Sequence, residues 1–141
     1  MKKFNFKLEK VLRIKKFNEE ECKMALGQAI SVLNLIEKQI MQTAVKRHNA
    51  ASQRFNDPAQ MIFWDTYILR LEREAEQLAE KAAQAEMVVE EKRVLYQEAY
   101  KELKAIEKLK EKRYEEYRKD YFVSEMNQID ELTSARQIMN L

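Results

Sequence analysis

Between residues 61 and 106 the chain can be counted through in alternating steps of three and four. The steps land on Met61, Trp64, Ile68, Leu71, Ala75, Leu78, Ala82, Ala85, Val89, Lys92, Tyr96, Ala99, Leu103 and Ile106. Of these, Lys92 alone is not apolar. A stripe of this period, about 3.5 residues per turn, keeps one narrow face against a partner helix. From Arg70 on, the positions beside it are mostly Glu, Gln, Arg and Lys, so the helix has a seam and little else to bury.

An earlier stripe runs Leu8, Leu12, Lys15, Glu19, Cys22, Leu26, Ala29, Leu33, Ile36, Ile40, Thr43. Its weak points, Lys15 and Glu19, sit close together. Val11, Ile14 and Phe17 beside them could carry a locally shifted seam. The spacing predicts a helix over about 5–49, with Asn5 able to cap its first turn. Gly27 costs about 1 kcal/mol relative to Ala but does not end it. Residues 1 to 4 read as a loose lead-in.

The stretch from His48 to Asp57 is small and polar and reads as losing the heptad, so a turn is expected over about 50–57. Asp57, Pro58 and Gln60 then have the form of an N-cap, a first-turn proline and a capping-box partner. A second helix follows over about 58–135. A short connection makes neighbouring helices antiparallel. The expected fold is therefore all-α: a long antiparallel two-helix coiled-coil hairpin, with residues 1–141 forming a single rod.

The two stripes differ in length. A turn near residue 54 sets Leu8 opposite about residue 100, and everything past about Lys104 overhangs helix 1. This overhang is dense in charge, yet it spaces Tyr114, Tyr117 and Tyr121 helically and continues to Phe122, Met126, Ile129 and Leu132. A lone helix with such a stripe is marginal unless something covers it. A partner and a frayed end are both open readings.

Composition narrows the alternatives. Among 141 residues there is one Gly and one Pro, and 35% are charged. Few turns can be built from that, and long helices suit it. The 26 basic and 24 acidic side chains read as interleaved, with a net charge of +2. A nucleic-acid binder should show a clearer basic excess, so no nucleic-acid partner is expected. No run of about 18 apolar residues suggests a membrane span, and the basic start lacks the apolar stretch of a secretory signal. The single cysteine, Cys22, falls on the seam and fits a reducing compartment.

Little here supports catalysis. His48 is the lone histidine, without Cys, Asp or Glu at ligand spacing. There is no Glu-x-x-His pair, phosphate loop or nucleophile elbow. A single-seam rod offers no dry recess for a reacting group. The expectation is no enzyme, no metal and no cofactor. One feature interrupts the clean rod: Ile62, Phe63, Tyr67 and Leu69 spill off the seam at the start of helix 2. Either they form a contact site, or they close the hairpin tip over Phe55.

Three stretches carry a family resemblance. The opening is Phe4-Asn5-Phe6-Lys7-Leu8-Glu9-Lys10-Val11-Leu12, and the middle is Trp64-Asp65-Thr66-Tyr67-Ile68-Leu69-Arg70-Leu71. The third runs from Glu111 to Tyr117, followed by Glu125 to Glu131. In order and spacing the chain resembles the flagellar type III export protein FliJ family, whose hairpin is similar to the γ-subunit stalk of rotary ATPases. The resemblance implies three partners: the hexameric flagellar export ATPase, the cytoplasmic domain of the export gate membrane protein, and export chaperones. It implies insertion into the ATPase ring through Phe4, Phe6, Leu8, Tyr114, Tyr117 and Tyr121. Gate binding carries over to Tyr67 and Leu71, and more loosely to Glu74 and Leu78. The count through the seam favours Phe63 and Tyr67, because Leu71 and Leu78 fall within it. The implied place is cytoplasmic, peripheral at the inner face of the cell membrane at the flagellar base, with the chain a monomer by itself. The alternatives are a generic coiled-coil scaffold that dimerises, or the equivalent stalk of a virulence secretion system.

Overall fold

The computed structural model describes residues 2–140. Two helices account for nearly all of them: α1 spans Glu9–Gln53 and α2 spans Met61–Met139. They pack against each other as an all-α hairpin, and among the described residues there is no strand. The chain forms two compact units. One is residues 20–98, and the other joins the two end segments, up to Glu19 and from Ala99 on.

In the 20–98 unit the predicted stripes meet face to face. Ala29, Thr43, Ala50, Leu71, Ala85 and Val89 are buried, and the other seam residues are half-buried. Two helices touching along one line enclose some side chains fully and leave others, Trp64, Ile68 and Leu78 among them, with an edge in water. Antiparallel register is pinned outside the seam. Arg47 meets Glu72 at 2.9 Å and Arg54 meets Asp65 at 2.7 Å. Seven residues on along α1 correspond to seven back along α2.

The turn lies later than expected. Ala50 is 2% exposed, and it is the heptad successor of Thr43. The seam therefore continues through the stretch that reads as breaking it, and α1 ends at Gln53 instead of near Asn49. Ala50 and Ala51 are helix formers whose small size looks like a loop only out of register. The chain reverses over residues 54–57, with Asn56 N–H donating to the Gln53 carbonyl at 3.1 Å. Asp57, extended at φ −142°, takes the N–H of Ala59 on its carboxylate at 3.0 Å. Pro58 opens a single 3-10 turn, Pro58–Gln60, that leads into α2.

The other unit joins the start of α1 to the second half of α2. Ala99 and Leu103 are buried, while Leu12 and Ile106 are half-buried. The polar seam positions stay in the seam. Lys15 reaches Glu102 at 2.9 Å, and Glu9 reaches Lys110 at 3.0 Å. No shifted seam forms, because Ile14 and Phe17 remain 65% and 62% exposed. Such part-exposed pairs contribute at most about 1 kcal/mol each. Their effect is on alignment: with Glu9 facing Lys110, Leu8 lies opposite about residue 110, not 100. The ten-residue difference arises because these pairs centre the hairpin near residue 60, not 54: α1 runs to Gln53, and the 3-10 turn and the first turn of α2 come before the paired region.

Helix α1 begins at Glu9, not near Asn5. Residues 2–6 are non-helical, and Glu9 N–H donates to the Phe6 carbonyl at 3.2 Å. Alternation explains this. In an extended segment Phe4 and Phe6 point to the same side, whereas on a helix residues two apart diverge. Both rings reach α2 only if the segment stays extended.

Two substitutions test this packing. Leu71→Ala, at a position 2% exposed, should lower stability by about 2–4 kcal/mol. Gly27→Ala, where an added Cβ meets nothing within 4 Å, should raise it by about 0.5–1 kcal/mol. Denaturant melts followed by circular dichroism measure both, and a neutral Leu71→Ala would remove Leu71 from the core.

Candidate partner-binding surfaces

Two surfaces gather the residues singled out by sequence. The first is the free end of the hairpin, where the non-helical residues 2–6 and the turn at 7–8 lie along α2 as a strap. Phe4 meets Tyr114 edge-on at 5.3 Å and Tyr117 at 5.4 Å. Phe6 is 8% exposed, and Leu8 is half-buried. A cavity of about 440 Å³ lies beneath the strap, lined in part by Phe6, Leu8, Leu109 and Tyr117.

The tyrosine stripe is therefore not uncovered along its length. Its first two rings are occupied by the chain's own Phe4, and this was missed from sequence. The signal was there: two phenylalanines separated by one polar residue have the period of an extended strand.

Beyond Tyr117 the covering stops. Tyr121 lies against Tyr117, with ring centroids 6.2 Å apart and the planes tilted by 37°. After it, Phe122, Ile129 and Leu132 stand 65%, 55% and 67% exposed. The Tyr121 hydroxyl is hydrogen-bonded to Glu125, whose carboxylate charge further disfavours the phenolate, so its pKa is raised. Ring and hydroxyl stay neutral and serve as an apolar face with a donor at its edge. The flanking charge rows pair along the helix, Arg118 with Glu115 at 3.5 Å and Arg113 with Glu116 at 3.8 Å.

The second surface lies at the start of α2. Phe63 is 65% exposed and meets Trp64 edge-on at 5.4 Å. Trp64, a seam residue, meets Tyr67 at 6.0 Å, and Tyr67 is half-buried. Ile62 and Leu69 stand 82% and 57% exposed. These residues do not close over Phe55, which is 74% exposed with the Arg54 guanidinium 5.7 Å above its ring. The tip-cap reading fails on that exposure.

The residues carried over for gate binding are spaced by threes and fours along one side of α2, but they differ in exposure. Leu71 is buried in the seam and Leu78 is half-buried there. Glu74 is held by Arg70 at 3.6 Å. Phe63, Tyr67 and the part-exposed Glu74 are within a partner's reach without opening the hairpin, whereas Leu71 is not.

Among the described residues no helix is long and apolar enough to cross a membrane. None of their His, Cys, Asp and Glu groups forms a cluster able to hold a metal ion. The model of the family described as flagellar FliJ protein matches residues 4–140. Neither a curated protein nor a solved structure matches the chain.

The strap can be tested apart from any partner. Phe4→Ala removes two aromatic contacts, worth about 0.5–1.5 kcal/mol each beyond area burial. Hydrogen exchange should speed up at residues 5–9 while helicity is retained. Unchanged exchange there would mean that Phe4 does not hold the strap.

Proposed function

The chain belongs to the flagellar FliJ family, components of flagellar type III export, and from that premise we propose that it works as the stalk of the export ATPase. In this reading the hairpin's free end enters the hexameric ATPase ring and promotes its assembly and turnover. The start of α2 meets the cytoplasmic domain of the export gate, and export chaperones are handed on along the hairpin. The chain itself carries out no catalysis. By itself it is a monomer, and in the cell it sits peripherally at the inner face of the membrane at the flagellar base.

The observation that carries the reading is the exposed stripe continuing from Tyr121 through Phe122, Met126, Ile129 and Leu132. No described residue covers it. An exposed apolar stripe of this kind marks a contact site, and a ring that closes around the helix end would bury it from several sides. Phe4, Phe6 and Leu8 act beneath it, as the strap that braces α2 where the ring would grip. The exposed Phe63 and half-buried Tyr67 supply an aromatic anchor pair for the gate, since aromatic side chains lose little freedom when buried.

Titrating the chain into the cognate ATPase should stimulate hydrolysis and shift the enzyme to hexamers. Truncation after Arg118 keeps the Phe4 contacts and removes the exposed stripe. It should abolish both effects while leaving the hairpin folded by circular dichroism. Stimulation that survives truncation would place the ATPase contact elsewhere. For the gate, Phe63→Ala with Tyr67→Ala should weaken binding by at least tenfold, about 1.4 kcal/mol. Binding at the wild-type level would exclude this surface.

A further inference from the structure

The charges look interleaved over the whole chain, but the first sixteen residues break that pattern. They hold seven of the 26 basic side chains and a single acidic one, Glu9. Glu9 is engaged by Lys110 and Lys15 by Glu102. That leaves Lys2, Lys3, Lys7, Lys10, Arg13 and Lys16, all exposed. Glu116 and Asp120 of α2 line the cavity under the strap together with Lys7, so part of the strap's charge is offset. Lys10, Arg13 and Lys16 lie on α1, away from that cavity.

A second observation falls on the same face. Ile14 and Phe17 are 65% and 62% exposed. They lie within one turn of Lys10 and Arg13, at spacings of three and four that bring side chains to one side of a helix. They point away from the seam that Leu12 and Lys15 occupy. The face carries Lys10, Arg13 and two large apolar groups, and it ends one turn on at the exposed Glu20 and Glu21. A helix of this kind suits the plane between headgroups and acyl chains of an anionic bilayer. Together with the three lysines of the strap, the three basic residues of α1 come within the four to eight that acidic headgroups recruit. Duplex nucleic acid would use the charge but has no place for the Ile14 and Phe17 side chains.

We propose that the outer face of the first turns of α1 — Lys10, Arg13, Ile14, Lys16 and Phe17 — docks the chain on an anionic phospholipid surface. The lysines of the strap add long-range attraction, and Ile14 and Phe17 enter the interface. This deepens the membrane-side placement proposed above and rests on it. It does not rest on the ATPase contact, which uses the α2 stripe beyond Tyr117; the two contacts are alternatives, since a free end held in the ring has left the lipid surface.

The experiment is flotation of the full chain with vesicles of phosphatidylglycerol and phosphatidylcholine, against phosphatidylcholine alone. Binding is expected to the anionic vesicles and to fall steeply with salt. Each basic residue near such a surface contributes about a fivefold factor, so Lys10→Gln with Arg13→Gln should weaken binding roughly 25-fold. Ile14→Ser with Phe17→Ser should weaken it while leaving the salt dependence unchanged. A folded wild-type chain that does not float with anionic vesicles overturns the proposal. So does equal retention on duplex DNA with no effect of the Ile14 and Phe17 substitutions, which would mark a general polyanion patch. ATPase stimulation by the Lys10/Arg13 variant, measured without vesicles, should match wild type, and its loss would assign the face to the ATPase instead. Failure of the stalk reading would show in the wild-type ATPase titration and leave flotation untouched.

Discussion

Two helices that meet along a single line can bury only one stripe each, and that constraint governs the rest of the structure. It limits how many side chains are enclosed: Ala50, Leu71, Ala99 and Leu103 disappear, while Trp64, Ile68 and Leu78 keep an edge in water. Cohesion is spread thinly along a contact whose exact alignment matters, since a slip would carry every seam residue out of place together. Ion pairs at the flanks, each weak by itself, discriminate between such alignments. Arg47 with Glu72 and Lys110 with Glu9 are satisfied in this register.

A single seam also leaves most of the surface outward, so functional surfaces are stripes and patches instead of recesses. The aromatic residues at the start of α2 and the stripe past Tyr117 have this form. The strap alters the picture at the free end. Phe4 caps the first two rings of the stripe and leaves the next ones exposed. The boundary between internal packing and an available surface therefore falls between Tyr117 and Tyr121. Where α2 loses its partner helix, the strap extends its support by about two turns.

The sequence alone was enough for the class of fold, both seams and the antiparallel hairpin. Heptad spacing depends only on helix geometry, and with one Gly and one Pro nothing competes with it. Every residue counted into the two seams is buried or half-buried, Lys15, Glu19 and Lys92 included. The resemblance to the export family was likewise readable from local motifs, and the family match covers nearly the whole chain.

Tertiary structure decided what depends on partners distant in sequence. The position of the turn rested on whether Ala50 finds a surface to bury against, which its small side chain does not announce. The start of α1 rested on Tyr114 and Tyr117, more than a hundred residues on, which draw Phe4 and Phe6 out of the helix. The fate of the apolar cluster at the tip rested on the placement of Phe55, and of Leu71 on the depth of the seam. Periodicity reports which face of a helix is apolar. How far along it the partner reaches, and what else arrives to cover it, follows from contacts that only the folded chain brings together.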